Sequence, residues 1–417
     1  MHLKAAVAAV DITPPIGVEL SGYGYYLGRA ATGVHDPLMA RALVLEACGE
    51  RVAIVACDLL GVSHQVAAAT QTLVAEKASV PAHALLLACS HTHSGPATVP
   101  VRGCGEQDPA YVASLPQRLA AAVAEAAGAL EPAEAGFARG AVPGLGHNRV
   151  EGDAGPLDDD LLVMAVRTRD GKPLAIALHA TAHAVTQPSS NTLFSADWPG
   201  AASRQIEEAG GGQGLFLAGS CGDVNPTLAH TGRGDEAGRR VAEGVAALLP
   251  QIEYAHGIEI GATSRDVALS LAPILAEQLE AIAAEARPEA ADAGGAARCR
   301  LEWAEALLEE HRTGATREAL VTQLQAIRVG EGLLLAHGSE LFCEYGQALK
   351  ARFAPRPTFV VGYANDFVGY VPDPEDFARG GYAAVDVPRI CGYFPFTSDV
   401  GSQLVAGLTE VSAEIGG

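Results

Sequence analysis

The chain has 417 residues, of which 49% are hydrophobic and 18% are charged. This length and composition are typical of a globular protein with a large core, and they exclude a fibrous or disordered chain. The formal net charge is −21 and there are only 28 lysines and arginines, which excludes the clustered basic surface of a nucleic-acid-binding protein. No apolar run is long enough to span a membrane, so we expect no transmembrane segment.

The amino terminus and the cysteines indicate the compartment. The apolar stretch before Asp11 is too short for a secretory signal and is followed by no small-residue cleavage site, so we expect a cytoplasmic protein. Eight cysteines are scattered without a Cys-x-x-Cys pair. Several lie within apolar runs, which predicts buried thiols instead of disulfides or a cysteine-rich zinc site. The sequence leaves a homo-oligomer open as the quaternary state.

Apolar runs alternate with alanine-rich helical segments through the chain. Helices are predicted over 63–77, 108–130, 234–249, 274–287 and 296–324. The predicted strands are 5–12, 40–46, 51–57, 85–89, 161–167, 174–178, 214–218, 258–271, 326–328, 332–336 and 358–361. The runs 40–46 and 51–57, separated by residues 48–50, are predicted to form a hairpin, and 161–167 and 174–178 are predicted to form another strand pair.

This alternation of strands and helices predicts an α/β fold with mixed sheets flanked by helices. We expect a single domain over 1–417, with the helical pair at about 271–324 as an outer layer or a small subdomain. The residues 288–295 are predicted to connect the two helices of this pair.

Two histidines follow the apolar run 85–89, at the point where turn residues end it. In extended backbone, residues two apart point to the same side, so His91 and His93 are predicted to face one site. The glycine-rich aromatic loop 22–26 is expected to line a pocket. For an isolated His-x-His pair, an alternative is that backbone carbonyls simply satisfy the imidazoles at a strand end.

Further polar residues follow other apolar strands, and they favour a shared site over histidines that are only satisfied by backbone carbonyls. His183, Glu340 and Tyr370 all lie at or just beyond strand ends, which is the sheet edge where α/β proteins bind ligands. Two or three imidazoles with one carboxylate form the ligand set of catalytic zinc, which keeps one position open for water. The sequence therefore predicts a Zn²⁺ site at the strand ends.

Several motifs, in this order, resemble the neutral/alkaline non-lysosomal ceramidase family between about residue 6 and about residue 385. They are Cys57-Asp-Leu-Leu-Gly61, Ser90-His-Thr-His-Ser-Gly-Pro96, Asn148-Arg149, Ser195-Ala-Asp-Trp-Pro-Gly200, Gly222-Asp-Val-Asn-Pro226 and Asn365-x4-Tyr370, with similar segments at 9–17 and 33–45. The resemblance implies a ceramidase-like catalytic domain that hydrolyses amide bonds with zinc.

The resemblance also implies roles for individual residues. It implies zinc ligands at His91, His183, Glu340 and Tyr370, where His183 is preferred over His179 because of its distance from the Ser195 motif. It implies substrate contacts at His93 and Arg149. The family has a serine where this chain has Asn225, and the family continues into a carboxy-terminal immunoglobulin-like domain beyond the point where this sequence stops. A carboxamide is a poor nucleophile or proton carrier. The resemblance therefore implies hydrolysis with zinc, but it does not imply that the substrate is ceramide.

These residues together predict a mechanism of amide hydrolysis by metal-activated water, acting on an N-acyl or related small or amphiphilic substrate. His93 would orient the water or relay a proton, and Arg149 with Asn225 would stabilise developing negative charge. Asp58 and Asp223 are expected to accept hydrogen bonds from ligand imidazoles.

Two alternatives to this mechanism are an amidohydrolase barrel, which also uses His-x-His at a strand end, and a zinc- or ligand-binding homologue without catalysis.

Overall fold

The computed structural model describes residues 2–291 and 295–416. The strands are β1 (Lys4–Asp11), β2 (Gly33–Val34), β3 (Met39–Ala47), β4 (Glu50–Cys57), β5 (Leu85–Cys89), β6 (Glu131–Ala141), β7 (Gly146–Asn148), β8 (Asp160–Thr168), β9 (Pro173–Ala180), β10 (Leu193–Phe194), β11 (Gln213–Ala218), β12 (Val224–Pro226), β13 (Ile260–Ser270), β14 (Ala319–Val329), β15 (Gly332–His337), β16 (Glu340–Leu341), β17 (Thr358–Val361) and β18 (Tyr370–Val371).

Helices lie on the outer faces of these strands. They are α1 (His64–Ala78), α2 (Pro109–Gly128), α3 (Asp197–Glu208), α4 (Gly234–Leu248), α5 (Ala276–Ala291), α6 (Gly295–Thr313), α7 (Cys343–Phe353), α8 (Pro374–Arg379), α9 (Tyr382–Val385), α10 (Val387–Cys391) and α11 (Val400–Ala413). Within the described ranges, no helix is both long enough and apolar enough to cross a membrane.

The larger sheet has the strand order β11-β9-β8-β6-β1-β3-β4-β5. Its two edge pairs, β9 with β11 and β4 with β5, are parallel, and the pairs between them are antiparallel. The edge strand β11 contacts β3, β4 and β5 from the other half, so the sheet curls around the first hydrophobic core. The mixed α/β fold predicted from the sequence is confirmed, and this mixed order excludes the parallel barrel of an amidohydrolase.

A second sheet has the order β13-β14-β15-β17 and supplies one side of a second hydrophobic core. Helix α11 covers β13 and β14, and α7 packs on β17. The helices α5 and α6 contact each other, and their buried side chains Leu279, Trp303 and Leu307 belong to this second core. The expectation of a single domain stays a prediction.

The β3–β4 hairpin shows how local chemistry sets the fold. Ala47 pairs with Glu50, so the loop is Cys48-Gly49, and both loop residues have positive φ values of 59° and 89°. Two successive positive φ angles are what a two-residue hairpin turn requires, because its twist matches that of the strands. The hairpin predicted from the sequence is therefore confirmed.

The secondary structure differs from the predictions in several places, among them helices α7 and α11, which were not predicted. The helix predicted over 296–324 ends at Thr313, because Gly314 takes a φ of +69° and residues from Ala319 onwards pair with β13 and β15. Strand β6 was not predicted. Helix α5 continues through Pro288 to Ala291, so the predicted connector is shorter, and residues 292–294 of it lie outside the described residues.

The cysteines are thiols, as predicted. None of them forms a disulfide in the part of the chain that the structure describes, and six are buried. Burial raises the pKa of Cys221, in the first core, to about 12. This thiol is therefore protonated at neutral pH.

Segment 362–365, which follows β17, joins the ends of the two sheets. Gly362 N donates to Ala218 O at 3.0 Å, which ties the segment to the end of β11. Asn365 N donates to Leu87 O at 3.0 Å, and Asn365 Oδ1 accepts from Leu87 N at 2.9 Å. These bonds bring the carboxyl ends of β5, β9, β11, β15 and β17 to one place.

Candidate metal centre

His91 and His93 both reach this place, but His91 does so by a different backbone than the one predicted. Strand β5 ends at Cys89, and His91 has a left-handed φ of +61° instead of an extended one. The two imidazoles nevertheless converge, with 3.2 Å between their Nε2 atoms. His91 Nδ1 donates to Leu60 O at 2.8 Å, which leaves its Nε2 as a lone-pair donor.

His183 is held in the same tautomer on the opposite side. It follows β9, and its Nδ1 donates to Cys221 O at 2.6 Å. Trp198 Nε1 donates to His183 O at 2.8 Å, which fixes the backbone from behind. Burial, with Arg149 nearby, lowers the pKa of His183 to about 4, so its ring is neutral at pH 7. Its Nε2 therefore also presents a lone pair.

Glu340 and Tyr370 come from two short strands that lie side by side. β16 and β18 pair in parallel with Glu340 opposite Tyr370. Glu340 Oε2 lies 3.2 Å from His91 Nε2 and 3.1 Å from His183 Nε2, while Tyr370 Oη lies 3.3 Å from His183 Nε2. Each of the four predicted ligands thus lies within 3.3 Å of at least one of the others.

The nitrogen and oxygen atoms of this cluster are arranged in a way that suits the binding of a cation. His91 Nδ1 and His183 Nδ1 both donate to carbonyl oxygens, so the Nε2 atoms of the two rings are the ones that face the Glu340 carboxylate. Lone pairs at about 3 Å repel unless a proton or a metal ion lies among them. One ring nitrogen from each of His91, His93 and His183 lies within 4.8 Å of the other two, which is a spacing that ligands of one ion can have. The donor set of imidazole nitrogen and carboxylate oxygen fits zinc.

The structure also places the other predicted site residues. Arg149 Nη2 donates to Gly222 O at 2.7 Å and to Tyr370 Oη, so Arg149 contacts the tyrosine hydroxyl directly. Asn225 lines the cavity described below. Asp223 accepts from Asn148 Nδ2 and from Cys343 N, each at 2.7 Å, and so fixes the loop that carries Arg149.

Asp58 is not where the sequence analysis expected it. Its carboxylate accepts from Arg41 Nη1 at 3.1 Å and from Met39 N at 2.9 Å, inside a buried ion pair. The imidazoles of His91 and His183 donate to backbone carbonyls instead of to a carboxylate. The predicted carboxylate acceptor role is therefore wrong for Asp58, because Arg41 occupies it, and the Asp223 carboxylate likewise bonds Asn148 and Cys343.

Residues that sequence reasoning missed complete the site. The His91 ring stacks on Tyr363 with 3.9 Å between ring centroids, and Tyr363 Oη lies 3.1 Å from Cys221 Sγ. Around the site, five residues other than glycine have positive φ angles: His91, Asp197, His230, Tyr363 and Asn365. Such strained backbone concentrates at functional sites, but it has no signal in sequence.

A cavity of about 290 Å³ opens beside the cluster. The predicted loop does line it, through Gly22, Tyr23 and Gly24. The other lining residues include His91, His93, Glu340, Tyr370, Arg149, Asn225, His230, Leu60, Val101, Cys104, Phe367, Val387, Ile390 and Cys391. This volume lies at the lower end of the range for small-molecule sites.

Comparison with solved structures shows which known fold this is. A structure of neutral ceramidase from Pseudomonas aeruginosa superposes with a TM-score of 0.78 at 18% sequence identity, over 100% of this chain and 74% of that chain. This chain has the neutral ceramidase fold. A second structure, of ceramidase complexed with C2, gives a TM-score of 0.77 at 18% identity, over 100% of this chain and 75% of that one. No protein-family model matches the sequence, and no curated protein matches it.

Proposed function

We propose that this protein is a zinc-dependent hydrolase that cleaves the amide bond of an N-acyl compound. The observation that carries the proposal is the convergence of His91 Nε2 and His183 Nε2 on the Glu340 carboxylate, at 3.2 and 3.1 Å, with both Nδ1 atoms held by backbone carbonyls. The neutral ceramidase fold supports the choice of an amide, since the two solved structures compared above are of ceramidases.

His91, His183, Glu340 and Tyr370 would hold the metal. Bound zinc supplies Lewis acidity for the carbonyl and lowers the pKa of a water ligand to about 7. The backbone carbonyls of Leu60 and Cys221 keep His91 and His183 in the tautomer that a ligand needs.

The other residues would act on the substrate and the water. His93 faces the cluster with Nε2, and its Nδ1 is buried with no hydrogen-bond partner among the described residues, so the ring can orient the attacking water and receive its proton. Arg149 donates to Tyr370 Oη and lies beside the cavity, where its charge would stabilise the oxyanion that forms at the carbonyl.

The test combines metal analysis with turnover. The purified protein is expected to carry one zinc per chain and to hydrolyse members of an N-acyl amide panel. A chelator should abolish turnover and zinc should restore it, while His91→Ala should lose both zinc and activity. If the protein retains zinc and hydrolyses no amide or ester, it is a metal-binding homologue without catalysis and the proposal fails.

A further inference from the structure

Two loops that line the cavity, residues 22–26 and residues 101–104, meet beside helix α6. Their lining residues are Gly22, Tyr23, Gly24, Val101 and Cys104. Tyr26 N donates to Gly103 O at 2.6 Å, and this bond joins the two loops directly. One wall of the cavity therefore depends on how these two loops are held together.

A carboxylate on α6 contacts a side chain from each loop. Tyr26 Oη donates to Glu302 Oε2 at 2.6 Å, and Arg102 Nε lies 3.6 Å from the same oxygen. Arg298, one turn earlier on the helix, donates from Nε to Glu302 Oε1 at 2.8 Å, and its guanidinium lies 3.9 Å from the centroid of the Tyr26 ring. Glu302 thus has partners from both loops and from its own helix.

Tyr26 needs such external contacts to keep its conformation. Its φ is +55°, a left-handed value that costs free energy in a residue other than glycine. A backbone of this kind persists where the surrounding structure holds it, and here Gly103 O, Glu302 and Arg298 do so. Without the Glu302 carboxylate, the loop is free to relax towards a more favourable backbone. The position of Tyr23, three residues earlier, depends on that backbone.

Arg102 connects Glu302 to a third part of the cavity wall. Its Nη1 donates to Arg389 O at 2.7 Å, and its backbone N–H donates to Ile390 O at 2.8 Å. Ile390 lines the cavity, whereas Glu302 is not among the described residues that do so. Glu302 therefore acts on a bound molecule only through the segments that it holds.

We infer that Glu302 is a positioning residue, which holds the loops 22–26 and 101–104 in the arrangement that the cavity needs to bind its ligand. The Glu302 side chain is 38% exposed, so its ion pairs add little to the free energy of unfolding of the whole chain. Their loss instead allows the two loops to open locally. The inference rests on the proposed function in one respect, which is that the substrate binds in this cavity.

The first test measures the opening of the loops without any turnover. Cys104 Sγ lies against Gly24, where an added Cβ atom would be 3.0 Å away, and only 6% of Cys104 is exposed. Alkylation by iodoacetamide, followed by mass spectrometry of the Cys104 peptide, therefore reports loop opening. We expect Glu302→Ala to speed this alkylation at least about fivefold. The exposed Cys48 is the internal reference and should react at an unchanged rate.

The second test measures kcat and KM separately, on the N-acyl amide that the zinc-loaded protein hydrolyses fastest. Glu302→Ala should raise KM at least about fivefold and change kcat by less than about twofold, because it removes binding and leaves the metal centre intact. Glu302→Gln keeps an acceptor oxygen for Tyr26 and should raise KM less. Adding Tyr26→Phe to Glu302→Ala should change KM little further, since the two side chains act through one contact.

Glu305→Ala is the matched control on the same helix. Glu305 pairs with Arg287, and both side chains are more than half exposed. This variant should match the unmodified protein in the alkylation of Cys104, in KM and in kcat. Denaturant titration of the Glu302 variants establishes that each is folded and has nearly the free energy of unfolding of the unmodified protein.

The outcomes separate this inference from the proposed function. Faster alkylation of Cys104 in Glu302→Ala, with no amide hydrolysed by any of the proteins, supports the inference while the proposed function fails. Equal alkylation in the Glu302→Ala and Glu305→Ala proteins overturns the inference and leaves the hydrolase in place. Faster alkylation with unchanged KM also overturns it, and so does a large loss of the free energy of unfolding in Glu302→Ala.

Discussion

Gly22 lies against the imidazole of His93 so closely that a Cβ atom on Gly22 would be 2.5 Å from His93 Cγ. Its φ of +96° adds backbone strain to any substitution. Gly22→Ala should therefore push His93 away from the cluster. We expect kcat/KM to fall roughly 10- to 100-fold, as for other residues that orient a metal-site histidine.

Gly17→Ala is the matched control for Gly22→Ala. Gly17 has a similar φ of +99°, and nothing lies within 4 Å of its added Cβ. It should lose about 1–2 kcal/mol of stability from left-handed strain and keep its kcat/KM. Equal losses of activity in the two variants would show that backbone strain, and not the position of His93, explains the effect.

A buried ion pair holds the start of β3 to the end of β4. The Arg41 and Asp58 side chains are 5% and 7% exposed, and Arg41 Nη1 lies 3.1 Å from Asp58 Oδ2. Arg41→Met leaves the carboxylate buried without its partner, so the free energy of unfolding should fall by about 3–5 kcal/mol. Denaturant titration of the two proteins measures this change in the free energy of unfolding.

The control for this ion pair is Arg239→Met, on the surface of α4. Arg239 and Glu243 are both more than half exposed. We expect its free energy of unfolding to fall by less than about 1 kcal/mol, because solvent screens an exposed ion pair. A loss as large as that of Arg41→Met would contradict the argument from burial.

Asp223 should make stability depend on pH. Burial raises its pKa from 3.8 to about 6, so the folded state holds this proton more tightly than the unfolded state does. Its contribution to stability is present below about pH 4 and is lost as the pH rises through 6, by about 2–3 kcal/mol in total.

Asp223→Asn removes this titration, although it also places an amide N–H against the donors Asn148 Nδ2 and Cys343 N. The variant should be less stable by about 1–3 kcal/mol at pH 4, and its curve of unfolding free energy between pH 4 and 7 should be flatter than that of the unmodified protein, so the difference narrows as the pH rises. Parallel curves for the two proteins would show that Asp223 has no raised pKa.

Periodicity and turn chemistry were sufficient to predict much of this fold. The β3–β4 hairpin and the pair of β8 with β9 were predicted because their apolar runs are bounded by turn residues. Strand β6 was missed because its sequence, Glu-Pro-Ala-Glu-Ala-Gly-Phe-Ala-Arg-Gly-Ala, contains few of the branched and aromatic residues that favour strands. Its pairing with β8 decides its structure, and that partner is distant in sequence.

The candidate ligands could be predicted from the sequence, and their surroundings could not. Histidines and a glutamate after apolar strands indicated a metal centre, and the structure brings His91, His183, Glu340 and Tyr370 together. The backbone carbonyls that orient the imidazoles have no sequence signal, since every residue carries one. The acceptor role expected of Asp58 failed because the position of Arg41 is set by strand register.

X-ray absorption at the zinc edge, on protein purified without added metal, tests the central claim most directly. We predict one zinc per chain with nitrogen and oxygen ligands only, at about 2.0–2.1 Å for the imidazole nitrogens. The imidazole signal should be lost in His91→Ala. A chain that purifies and refolds without binding zinc, or a zinc with a sulfur ligand such as Cys221, would contradict a metal centre built on His91, His183 and Glu340.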